Sequence, residues 1–92
     1  MKWAYETATD IEMAAAVQLR KFLRDNGVQH GSIKYTAEWA GELRSEAGRK
    51  SLRGEATVQV GRVRYYCTVY AHGGAAIGQE NEAGQHRRLA ES

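Results

Sequence analysis

The run "GEATVQVGRVRYYCTVYA", residues 54–71, is sorted by side-chain type about the pair Gly61-Arg62. A Gly-X pair suits the type II′ turn of a two-residue hairpin. With that turn at the tip, Val60 faces Val63, Val58 faces Tyr65, Ala56 faces Cys67 and Gly54 faces Val69. Each of these pairs is apolar or glycine. The other side pairs Gln59 with Arg64, Thr57 with Tyr66, Glu55 with Thr68 and Arg53 with Tyr70. A slip of one residue would turn every apolar side chain to the wrong face, so the register is strongly specified. The valine side is the predicted core face, and it requires a cover.

The cover is the segment before it. Residues 10–26 are predicted as a helix, with Ile11, Ala15, Leu19, Phe22 and Leu23 on one stripe. Thr9 and Glu12 have the spacing of a capping box, and Asp10 places negative charge near the positive helix end. Gly27 is the expected stop, with Val28 folding back over the last turn. Alternation predicts a strand over 2–8, a long strand over 32–45, and strands over 50–60 and 63–72. A turn centred on Ala47-Gly48 would set Leu43 against Leu52, Glu42 against Arg53 and Trp39 against Ala56. The tail "QENEAGQHRRLAE" has acids before bases, which predicts a helix over 79–90. The expected fold class is α+β, in the order β-α-β-β-β(-α). It is an antiparallel sheet of three to four strands with one helix packed on one face.

A chain of 92 residues makes one domain. Its formal charge of +2 is too small to imply a polyanion partner by itself. One cysteine permits no internal disulfide and supplies no zinc set. "MKWAYETATD" lacks a long apolar run, so no signal peptide is expected, and no stretch reaches membrane-spanning length. A cytoplasmic protein without membrane association is the expectation.

No catalytic set emerges. Cys67 falls mid-strand on the core side, where a small buried hydrophobe is expected. His30, His72 and His86 share no element at zinc spacing. Glu38, Glu42 and Glu55 each have a basic neighbour and no apolar pocket to shift their acidity. The chain is expected to be no enzyme and to hold neither cofactor nor metal. The basic residues are the better candidates. Arg20, Lys21 and Arg24 lie on the helix back, with Met13 and Val17 among them. Arg49, Lys50 and Arg53 gather at one hairpin end, and Arg62 and Arg64 at the other. Tyr66 and Tyr70 stand beside Arg53 and Arg64 on the polar face. Arginine beside exposed aromatics suits a protein interface or a phosphate and a stacked base.

In order of elements, residues 9–91 resemble the double-stranded RNA-binding domain. The resemblance is one of topology, since that family's lysine-rich motif at its last helix is replaced here by "QENEAGQHRR" and its loop motif by "SEAGRK". It implies a stand-alone RNA- or DNA-binding module. The basic and aromatic runs "RKFLR", "GRKSLR" and "GRVRYY" on several surfaces of a small, motif-free chain resemble the anti-CRISPR inhibitors of phages and mobile elements. That resemblance implies a non-enzymatic protein that docks on a large protein or ribonucleoprotein complex and blocks it, with RNA or DNA backbone contacts as an added element. It is the favoured expectation, and the module is the alternative.

Overall fold

The computed structural model describes residue 5 and residues 7–38, 53–71 and 73–92. The first element is α1 (Ala8–Asp25). Its cap is Thr7, whose Oγ1 accepts from the Asp10 amide at 3.1 Å. The helix therefore starts two residues before the expected Thr9, and Asp10 rather than Glu12 holds the third position. Both threonines meet the chemical requirement of a cap, and the earlier one gains an extra half-turn of helix. The other end closes as predicted. The Gly27 amide donates to Arg24 and the Val28 amide to Leu23, at 3.1 and 2.9 Å. This pair of bonds satisfies carbonyls that the helix leaves open.

Five strands follow: β1 (Lys34–Glu38), β2 (Arg53–Val60), β3 (Val63–Tyr70), β4 (Ala75–Glu80) and β5 (His86–Glu91). They form an antiparallel meander in the order β1-β2-β3-β4-β5. The β2–β3 register matches the expectation at every pair from Val60–Val63 to Arg53–Tyr70. Gly61 has φ of 60° while Arg62 stays negative, as the type II′ turn requires.

Three expectations need correction. The sheet has five strands among the described residues, not three to four. The predicted helix over 79–90 is the β4–β5 hairpin. Its turn is set by Asn81, whose Oδ1 accepts from the Ala83 and Gln85 amides at 3.0 Å each. Gly84, at φ of 78°, donates to the Asn81 carbonyl. This is a type I turn followed by a left-handed residue, a common hairpin closure. The final helix that the RNA-binding-domain topology implies is thus replaced by two strands. Third, β1 sets Tyr35 against Ala56 and Glu38 against Arg53, where Trp39 and Glu42 were expected. The shift is four residues. Because four is even, it leaves the side chains of residues 34–37 on their expected faces. Within the expected strand over 32–45, β1 occupies Lys34–Glu38. The remainder past 38, and the Ala47-Gly48 turn, lie outside the described residues. So does most of the expected strand over 2–8.

The core lies between α1 and one face of the sheet. Ile11, Ala15, Leu19 and Leu23 from the helix are wholly buried, with Ala56, Cys67 and Val69 from β2 and β3. Val58, Ala75 and Ile77 extend the same layer, and Val60 packs at its margin. Burial of each larger aliphatic side chain contributes about 1.5–3 kcal/mol. Gly54 lets the two layers meet. A Cβ at that position would stand 2.6 Å from the Ile11 carbonyl carbon. Among the described residues no helix lies on the opposite face of the sheet.

Candidate functional site: the open face of the sheet

Alternation along β3 turns Arg64, Tyr66, Thr68 and Tyr70 to the open face, because Cys67 and Val69 turn to the core. The hairpin registers then fix their neighbours. Arg64 lies between Gln59 and Glu80, and Tyr66 between Thr57 and Gly78. On β5, His86 pairs with Glu80 and Arg88 with Gly78.

These registers assemble a compact cluster. The Arg64 guanidinium donates through Nη2 to Glu80 Oε2. His86 Nε2 lies 3.8 Å from the same oxygen. The rings of Tyr66 and His86 meet edge to face with centroids 5.7 Å apart. The Arg64 guanidinium carbon lies 5.6 Å from the Tyr66 centroid, within cation–π range. The Arg64 hydrogen bond holds the Glu80 carboxyl below its ordinary acidity value, with the charges of Arg64 and His86 adding to the effect.

Tyr66 has a seat. A Cβ on Gly78 would stand 2.6 Å from the Tyr66 Cζ. The phenol end therefore lies across β4 in the space that any other residue would fill. A hollow of about 210 Å³ adjoins the ring, lined by Glu55, Thr57, Arg64, Tyr66, Thr68 and His86. It is shallow and open. Charges on the face are largely matched within it: Arg64 with Glu80, and Arg88 with Glu91 at 3.3 Å. Such a surface offers donors, acceptors and one fixed aromatic ring to a partner. Among the described residues no group of three or more acidic, histidine or cysteine side chains is placed to hold a metal ion.

The expected site residues divide into separate groups. Arg53, Arg64, Tyr66 and Tyr70 do share the open face. Arg62 is exposed at the β2–β3 tip, 3.8 Å from Glu82 of the next hairpin turn. Arg20, Lys21 and Arg24 are on the outer side of α1, with the core and sheet between them and the open face. Lys21 and Arg24 both reach Asp25, at 3.1 and 3.6 Å. The Lys21 hydrogen bond lowers the acidity value of that aspartate. Arg49 and Lys50 lie outside the described residues. Glu80, His86 and Arg88 were not anticipated here, because the tail was read as a helix. Asn81 and Gly84, three residues apart, were the signal for the turn that brings them in.

Cys67 is buried as expected, and burial pushes its thiol up to about 11. No helix among the described residues is long and apolar enough to cross a membrane. Comparison with family models, curated proteins and solved structures finds no match.

Proposed function

We propose that this chain is a non-enzymatic binding protein that docks through its open sheet face on a larger nucleic-acid-handling complex and blocks it. That is the mode of the anti-CRISPR inhibitors its surface pattern resembles. The observation that carries the reading is the Tyr66 seat. A half-buried tyrosine is fixed over Gly78 between Arg64 and His86 on a sheet face that no helix among the described residues covers. Tyrosine and arginine fixed at the centre of a patch are the residues that most often dominate binding energy at protein interfaces. Holding them in place beforehand reduces the ordering cost of association.

The charge pattern favours a protein surface over a bare phosphate backbone. Two of the arginines on the face already have carboxylate partners. A nucleic-acid module instead needs several uncompensated cations, and its affinity falls steeply with salt.

The test is capture of the complex from cells, with and without nuclease, followed by assay of the captured complex. Tyr66→Ala is compared with the wild type. The expected result is a nucleic-acid-handling complex retained after nuclease, its activity reduced by the bound protein, and both effects lost in Tyr66→Ala. Recovery of nucleic acid alone, with binding to naked oligonucleotides that weakens steeply as salt rises, would overturn the proposal in favour of a stand-alone module.

A further inference from the structure

The outer side of α1 carries a pattern that the open sheet face does not use. Asp10, Val17 and Arg24 are each seven residues apart, so they fall close to one line along the helix. Met13 and Arg20 fill the intervening turns. Met13 is 46% exposed and Val17 is 52% exposed, the two large apolar side chains that α1 turns to solvent. The core stripe of Ile11, Ala15, Leu19 and Leu23 occupies the opposite side of the helix. The outer stripe thus has coiled-coil spacing, with an apolar middle, an acid at one end and, at the other, Lys21 and Arg24, which share the single carboxylate of Asp25 and so leave that end positive.

That order is complementary to itself when reversed. Val17 lies two turns, roughly 10 Å, from both Asp10 and Arg24. We propose that two copies of this chain pair antiparallel through the outer stripe of α1, with Val17 on the two-fold axis. Residue n then faces residue 34 − n of the other copy. Val17 meets Val17, Asp10 meets Arg24 at both ends, and Met13 lies against the aliphatic stem of Lys21. The two helix dipoles oppose each other, which also favours this direction. A parallel pair would set Asp10 on Asp10 and Arg24 on Arg24. A shift by one heptad would set Asp10 against Val17 and leave one charge of each pair unmatched. The antiparallel register about Val17 is the one that satisfies all three positions.

An interface of one helix face per copy is at the small end for proteins, below roughly 1,200 Å² in total. The dimer is therefore weak, on the order of micromolar. With the helices at the centre, the two open sheet faces point away from each other, giving a bivalent particle. The dimer stands on the α1 pattern alone and does not depend on what the sheet faces bind.

The experiment is sedimentation equilibrium up to about 0.5 mM on the full chain. Four samples are compared: wild type, Asp10→Arg, Arg24→Asp, and an equimolar mixture of the two variants. The wild type should dimerise. Each variant alone sets like charges together at both ends and should dimerise at least about tenfold more weakly. The mixture should recover the dimer, because each reversed side chain then meets its opposite on the other variant. Recovery also shows that both variants are folded. A monomeric wild type throughout the range overturns the proposal. So do variants that dimerise as well as the wild type, or a mixture that does no better than its components.

Discussion

Gly54→Ala tests the contact between the two layers of the fold. The new Cβ would stand 2.6 Å from the Ile11 carbonyl carbon, 3.1 Å from the Glu12 amide nitrogen, and closest of all to the Ile11 oxygen. All three atoms are main chain, so none can rotate away. Ordinary contact begins at 3.4 Å, so the carbon alone requires α1 and β2 to part by about 0.8 Å (3.4 less 2.6), and the closer oxygen requires more. That movement loosens Ile11, Ala15 and Leu19, all of which are wholly buried. Overpacking of this kind costs about 1–3 kcal/mol. Gly54 does not have a positive φ, so alanine fits its backbone and returns roughly 0.4–1 kcal/mol through the unfolded chain. With about 2 kcal/mol, the middle of the overpacking range, the net loss is about 1–1.6 kcal/mol. For a domain of this size that lowers the melting temperature by roughly 4–13 °C. Thermal unfolding followed by circular dichroism measures it, with Gly31→Ala as the control. A Cβ at Gly31 meets nothing within 4 Å, and its φ is not positive either, so that variant should melt at or slightly above the wild type. The packing argument is wrong if Gly54→Ala melts within about 2 °C of the wild type, or if Gly31→Ala falls equally far.

Three further outcomes follow from the open face and the core. Gly78→Ala should lift the Tyr66 ring from its seat at a stability cost of about 1 kcal/mol, because the nearest obstacle is the end of a side chain that can turn. The ring proton shifts of His86 report the lost edge-to-face contact, and unchanged shifts would mean that Tyr66 does not rest on Gly78. The Glu80 acidity value is lowered in the folded state, chiefly by the Arg64 hydrogen bond. Its stabilising contribution is thus present above the ordinary glutamate value and is lost as pH falls through the folded one. Glu80→Gln should therefore melt below the wild type at neutral pH, with the gap closing below about pH 4. A gap independent of pH would refute the Arg64 linkage. Finally, a buried thiol at about 11 gives almost no thiolate at neutral pH. Labelling of Cys67 by a thiol reagent should track global unfolding in denaturant, and labelling at the rate of a free thiol in native buffer would contradict the core placement.

Wherever a strand's face is decided by its own alternation, the fold was legible in the sequence. The β2–β3 hairpin is the clearest case: both lists of residues and the tip at Gly61 emerge as the pattern requires. The helix stripe emerges for the same reason, since a period of 3.6 is a local property. Parity survived even where register did not, as β1 shows with its shift of four. The tail was illegible because its two strands differ from the others. In β4, residues 75–78 are all buried, which removes the alternation that marks a half-exposed strand. In β5 a bulge opposite Ile77 and Gly78 interrupts the period of two. Acid-before-base order then suggested a helix, but here it reflects cross-strand pairing of Glu80 with His86 and Arg64.

The site was hidden by that same misreading. Arg64 and Tyr66 could be placed on the polar face from β3 alone, but what they meet is decided by residues about 12 to 22 positions further along the chain. Without β4, Arg64 is an unpaired cation and suggests a phosphate partner. With β4 it is half of an ion pair, and the same face becomes nearly charge-balanced. Without Gly78, Tyr66 is one exposed phenol among several; with it, the ring has a fixed place. Under the proposed function, those two facts weigh on the side of the docking protein, already the favoured expectation, and against the nucleic-acid module. Both reside in the pairing of β3 with β4, and a substitution that unpairs that edge should change the class of ligand as well as the strength of binding.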